Sequence, residues 1–306
     1  GTASQLTEAL VSGSKTVSAA TALVTVTDNA FHATNNTETI AATTLSGIGN
    51  ATTGTVTVSK AIKVAGTTTQ LTEALVSGSK TVSAGTSLVT VTDAAYSTGN
   101  TATIAATALS GIGGATTGTV TLQNKVRISG AQSEVTTALI GGSSVVASQA
   151  ATEAVVTDAV SASQGAAIAD VSKITGIFSG GLTDSVGNLV TGVTTSANLN
   201  TVTTEDTDIN ITVSDNAFHA TTNTATIAAA GLSAVKAKTS GTLTVSKAVK
   251  IVGSQAQLTK ALVTDSITAS TSLVTITDAA YSTGNTATIA ATALSGIGGA
   301  TTGTVT

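Results

Sequence analysis

Asp93–Thr121 reads DAAYSTGNTATIAATALSGIGGATTGTVT, and the same string returns unchanged at Asp278–Thr306, an offset of 185. Gln5–Ala19 (QLTEALVSGSKTVSA) likewise recurs at Gln70–Ala84, an offset of 65, and the DNAFHAT that starts at Asp28 recurs at Asp215. Two periods are therefore nested. The shorter places an Asp after an alternating strand at Asp28, Asp93, Asp158, Asp215 and Asp278; the longer groups three such units into one block. Each 65-residue unit divides again, because Val24-Thr-Val-Thr-Asp28 aligns with Val56-Thr-Val-Ser-Lys60 at an offset of 32. Strands are thus expected near Val24, Val56, Val89, Val120, Ala154, Ile211, Leu243, Val274 and Val305, with a degraded copy near Leu189. Self-similarity at a fixed period is the signature of a repeat architecture.

Local periodicity gives each repeat a content. In Thr55–Val64 (TVTVSKAIKV) the apolar Val56, Val58, Ile62 and Val64 keep even spacing among polar neighbours, which predicts one half-buried strand. In Gln70–Gly78, Leu71 and Leu75 stand four apart with Gly78 at a helix stop, which predicts a short helix. Two turns of helix do not hold alone. A strand-plus-helix unit of this size buries its apolar face only by stacking on copies of itself. The expected fold is a repeat solenoid: parallel β-strand rungs of about 32 residues, about 4.8 Å apart, with short helical segments. The rival is a string of 65-residue sandwich beads, but sandwiches run nearer 100 residues and use core Trp or Tyr. The expected organisation is a repeat array over 1–177, a degenerate rung or hinge over 178–208, and a second array over 209–306.

Composition agrees with a thin, uninterrupted stack. The 306 residues contain no Pro, Cys, Met or Trp, with two Tyr and three Phe. Each proline removes a ladder donor, and without cysteine there are no disulfides and no thiolate chemistry. Hydrophobic residues make up 41% of the chain, too many for disorder, so the core is built from Val, Ile, Leu and Ala. Charged residues are 9%, with 12 basic against 16 acidic and a net charge of −4, which gives no nucleic-acid footprint. No apolar run approaches the roughly 18 residues of a spanning helix, and the start at Gly1 carries no signal-peptide pattern.

Chemistry-bearing residues are few, and most are copied with the repeat. A catalytic constellation is normally unique, so Asp28, Asp93, Asp158, Asp215 and Asp278 read as structural acceptors of backbone N–H groups in Asx-type turns. A sharper expectation is a structural ladder in which Lys60 and Lys247 alternate with those aspartates in successive rungs and fix register. His32 and His219 occupy one position in two copies and read as loop residues rather than zinc ligands. Tyr96 and Tyr281 replace Phe31 and Phe218 as loop aromatics packed over a strand end, with a carbohydrate-stacking role as the alternative. Glu205, Asp206 and Asp208 are weak calcium candidates; the calcium β-roll signature itself is absent. The Gly-rich Ser110–Gly114 and Ser295–Gly299 follow a helix, the reverse of a phosphate loop. With the Val face turned inward, an outward array is expected of Thr25, Thr27, Thr55, Thr57, Thr90, Thr92, Thr119, Thr121, Thr242, Thr244, Thr275 and Thr277. Such columns resemble the ice-binding face of some solenoid antifreeze proteins, although outward Thr also simply suits a solvated parallel sheet.

The run Leu45–Leu75, LSGIGNATTGTVTVSKAIKVAGTTTQLTEAL, resembles the repeats of very large Thr/Ala/Val-rich bacterial cell-surface proteins, particularly of cyanobacteria and marine bacteria. The likeness covers nearly the whole chain outside 178–208 and carries no functional residues across. It implies an extracellular, cell-surface location and a non-enzymatic scaffold, adhesin-stalk or filament role without cofactors. Gly1-Thr2 matches Gly66-Thr67, and Thr306 matches Thr121 within a strand, so self-association end to end or laterally is expected, with surface polysaccharide as a further partner. Neither nucleic acid nor a membrane span is expected. The alternative function is an ice-binding or glycan-binding solenoid that uses the Thr columns.

Overall fold

A computed structural model describes residues 1–13, 17–76, 82–142, 145–280, 282–285 and 287–306. Gly78 as a helix stop and Tyr281 as a loop aromatic lie outside these residues. Parallel β-strands in several sheets alternate with short helices, an α/β architecture. The chain divides into two compact units: Gly1–Val156 with Asp170–Thr175, and Thr157–Ala169 with Gly176–Thr306.

In the first compact unit, Val24–Val26, Val56–Val58 and Val82–Ser83 form a three-stranded parallel sheet in that order. A five-stranded parallel sheet follows, ordered Val145–Ala147, Val120–Leu122, Leu88–Val91, Lys63–Gly66, Thr39–Ala41. A third contains Thr103–Ala105, Arg127–Gly130 and Thr152–Val156. The five-stranded sheet joins successive 65-residue units, since Lys63–Gly66 of one pairs with Leu88–Val91 of the next, Val64 opposite Val89. In the second compact unit, Leu182–Asp184, Ile211–Val213 and Leu243–Val245 make one parallel sheet, and Thr226–Ala228, Lys250–Gly253 and Leu273–Ile276 another. Val190–Thr191 and Thr194–Thr195 pair antiparallel across a turn at Gly192, whose φ of 62° lies in the left-handed region.

Three sequence expectations change, and one further strand is added. Thr55–Val64 is two strands in different sheets, because the chain corners at Lys60, where the Ile62 N–H donates to the Lys60 carbonyl at 2.8 Å. Thr39–Ala41 is a strand before the helix Ala42–Asn50. The uniform 32-residue ladder is replaced by unequal steps: Val24 pairs with Val56, but Val56 pairs with Val82 and Val89 with both Val64 and Val120. Ala154 pairs with Ile128. The strand beside Ile211 is Leu182–Asp184, while Leu189 ends a one-turn helix.

The helices bury one small-residue stripe each. Ala42–Asn50 turns Ala42, Leu45 and Ile48 inward, and Ala106–Gly114 turns Ala106, Leu109 and Ile112 inward. Ala42–Asn50, Thr68–Leu75, Ala106–Gly114 and Gln132–Leu139 touch in succession. Beneath them sit the strand residues Val26, Val64, Val120, Leu122 and Ile128, each 0% exposed. Phe178 is the largest fully buried side chain, and a Cβ on Gly176 would stand 2.8 Å from its ring.

Candidate functional surface

The repeated aspartates bind across the repeat. Asp93 Oδ2 accepts the Thr68 N–H at 2.6 Å and the Thr68 hydroxyl at 2.7 Å, at the start of the helix Thr68–Leu75. That helix start also holds a capping box between Thr67 and Gln70. Asp28 accepts Ala3 N–H at 2.7 Å, Asp215 accepts Val186 N–H at 2.6 Å, and Asp278 accepts Gln255 N–H at 2.5 Å. Asp184, unmarked in the sequence pattern, does the same for Ala162. Each carboxylate therefore satisfies an orphan N–H at a helix start 22 to 29 positions earlier in the chain, and Asp184 accepts the Ser185 N–H of its own turn as well. Asp158 is exposed at the same repeat position. Lys60 Nζ lies 3.3 Å from Asn29 Oδ1, and Lys247 Nζ lies 3.3 Å from Asn216 Oδ1, so both ammonium groups reach the residue after the repeated Asp. Among the described residues the ion pairs are Arg127–Glu153 and Lys260–Asp265.

The loops after these aspartates are held internally. Asn36 Nδ2 donates to the Asn29 and Ala30 carbonyls, and Asn100, Asn223 and Asn285 repeat the arrangement. The loop aromatics are half-buried beneath a cation from a strand further along the chain: Phe31 under Lys63 at 5.2 Å, Tyr96 under Arg127 at 3.9 Å, Phe218 under Lys250 at 5.3 Å. His32 and His219 are exposed, each with Nδ1 turned back onto its own loop.

Glu205, Asp206 and Asp208 do not converge as a metal site; among the described residues no group of three acidic or imidazole side chains could hold an ion. Asp206 Oδ2 instead accepts the Phe178 N–H at 2.7 Å. Burial lifts the Asp206 carboxyl above its usual value, Asp208 adds to the rise, and the Phe178 N–H opposes it.

All twelve outward Thr positions are exposed or half-exposed. Neighbouring strands set Thr57 between Thr25 and Ser83, and Thr90 between Ala65 and Thr121. Thr275 Oγ1 lies 3.1 Å from Thr306 Oγ1, and Thr242 Oγ1 donates to Asn210. Thr27, Thr55, Thr92, Thr119 and Thr277 flank these rows. The longest row is Thr183, Thr212, Thr244 and Thr268 in the second compact unit, and only Thr244 is read from the sequence pattern. Thr183 escapes it because its strand, LTD, sits where the repeat has drifted, whereas Thr212 stands at the repeat position of Thr25 and is open to the same reading.

A second class of Thr faces inward and is missed altogether. Thr52, Thr116, Thr239 and Thr301 are buried, and each hydroxyl reaches two backbone carbonyls of the preceding coil. The shorter bond is 2.7 Å for Thr52 to Ala22 and 2.6 Å for Thr116 to Ser87. The Gly two residues on donates its N–H to the same hydroxyl. The signal in the sequence is the recurring Thr-Thr/Ser-Gly at Thr52–Gly54, Thr116–Gly118, Thr239–Gly241 and Thr301–Gly303.

Shallow grooves also repeat. One of about 430 Å³ is lined by Thr68, Glu73, Asp93 and Ile104, and an equivalent one by Ala3, Glu8, Asp28 and Ile40. Their aspartates are the ones engaged at helix starts. No helix among the described residues is long and apolar enough to cross a membrane. No protein-family model, curated protein or solved structure matches the chain.

Proposed function

We propose that the chain is a section of a non-enzymatic, extracellular repeat protein that serves as a cell-surface scaffold, adhesin stalk or filament, built as a solenoid of stacked coils. The observation that carries this reading is the sheet in which Lys63–Gly66 of one 65-residue unit is a direct neighbour of Leu88–Val91 of the next. Units that share a sheet resist separation, as beads on linkers do not. The repeated carboxylates support the reading because they are consumed in holding helices, and the repeated Thr-Thr/Ser-Gly corners because they tie one coil to the one before. In the absence of Cys and Pro, backbone ladders and buried hydroxyls carry the joints. Electron microscopy of the native material tests this: a fibre with a rung spacing of about 4.8 Å supports it, and separated beads refute it.

A second reading assigns the outward Thr rows to ice or a neutral polysaccharide. It is favoured by Thr183–Thr212–Thr244–Thr268, a file of hydroxyls on an uncharged parallel face. Thermal hysteresis would support ice binding, and a sugar-array screen would separate the glycan case; activity in neither removes this reading.

A further inference from the structure

The loops that follow the repeated aspartates come in two kinds. His32–Asn36 and His219–Asn223 begin with an imidazole, whereas Ser97–Asn100 and Ser282–Asn285 begin with a hydroxyl and are one residue shorter. Each kind is closed by an antiparallel bridge between its first and last residues and by the Asn side chain described above. Only the first kind adds a ring acceptor. His32 Nδ1 lies 3.3 Å from Thr34 N, 3.0 Å from Thr34 Oγ1 and 3.3 Å from Asn35 N. His219 Nδ1 repeats this with Thr221 N at 3.3 Å, Thr221 Oγ1 at 3.0 Å and Thr222 N at 3.3 Å.

Two backbone N–H groups converging on one ring nitrogen fix its state. A backbone amide donates only, so Nδ1 must carry the lone pair, and the proton of the neutral ring sits on Nε2. The imidazolium has no acceptor nitrogen. When the ring gains its second proton, Nδ1–H faces two N–H groups and the loop loses its central acceptor.

We propose that the two His-led loops are acid-sensitive elements, closed around a neutral imidazole and opened at Ala33–Asn35 and Ala220–Thr222 when the ring is protonated. The Ser-led loops lack the trigger and keep their shape. The repeated aspartates and the lysines around each His-led loop are already engaged. Asp28 and Asp215 hold helix N–H groups. Lys60 and Lys247 meet Asn29 and Asn216 at the corner strand, while Lys63 and Lys250 cover Phe31 and Phe218. Glu38 follows the first loop, and Ala225 stands at its place in the second. Neither imidazole takes part in an ion pair among the described residues. The proposal stands on loop geometry alone and does not depend on the scaffold reading.

The test is an NMR titration of the whole chain with nitrogen-15 labelling. At neutral pH the ring shifts of both histidines should report the Nε2–H tautomer. On acidification the amides of Thr34, Asn35, Thr221 and Thr222 should shift with ring protonation and lose hydrogen-exchange protection, while those of Ser97–Asn100 stay. In a His32→Ala/His219→Ala variant the pH response of these amides should vanish. An Nδ1–H tautomer, loop amides indifferent to ring protonation, or a response that survives in the double variant would each overturn the proposal.

Discussion

Asp93 shows how a single side chain does more than its local sequence declares. Its carboxylate reaches back to Thr68 and holds a helix start that the capping box of Thr67 and Gln70 leaves incomplete. Asp93→Ala should therefore destabilise the chain by about 0.5–2 kcal/mol in chemical denaturation, whereas removing a merely solvated turn residue would change little. Thr116 is the inward counterpart: Thr116→Val keeps the volume but strands the Ser87 carbonyl and the Gly118 N–H, a loss of about 1–3 kcal/mol, measurable in the same way. Asp206 behaves in the opposite sense. Its folded-state value lies above the ordinary 3.8, so the folded state favours the protonated form. That contribution is present below 3.8 and is lost as the pH rises through the lifted value. Asp206→Asn, whose amide oxygen still accepts the Phe178 N–H, should raise the melting temperature at neutral pH and flatten its dependence on pH above 3.8. An unchanged pH profile would contradict this assignment.

At the scale of elements, the sequence is legible where one periodicity rules and illegible where the chain turns without changing parity. The strand at Val24–Val26 and the helix core of Leu71 and Leu75 are plain in the pattern. The corner at Lys60 is not, because Val58 and Ile62 stand four apart and the even spacing of apolar residues runs straight through the bend. Thr39–Ala41 is hidden for a different reason: its single buried residue, Ile40, merges with Ala42 and Leu45 of the helix that starts at once. The partner choice of each strand is likewise invisible, since Val56 could pair with any copy of its own sequence and only the three-dimensional path sets Val82 beside it. The acceptor role of the aspartates is readable, but the distant helix start is not. The Thr-Thr/Ser-Gly corners carry a prediction of their own. A Cβ on Gly118 would stand 2.2 Å from the Ser87 carbonyl oxygen, so the coil cannot close over a side chain there. Gly118→Ala should lower the melting temperature markedly, and a neutral effect would mean that this corner does not pack on the preceding coil.

For the molecule as a whole, the lack of Pro, Cys, Met and Trp acquires a structural meaning at the joints between repeats. The joint is a shared parallel sheet backed by aliphatic side chains, in which every central strand needs its N–H groups on both sides. Successive 65-residue units are neighbours through Lys63–Gly66 and Leu88–Val91 rather than through a uniform 32-residue ladder. Because the chain contains no cysteine, paired cysteines report this without background. Ala65 and Thr90 are register partners and both are half-exposed. Adjacent strands at about 4.8 Å fall within the Cα range of a disulfide, roughly 4.4–6.8 Å. Ala65→Cys with Thr90→Cys should therefore oxidise readily to a disulfide, while Thr57→Cys with Thr90→Cys should remain reduced; the reverse result would contradict the account.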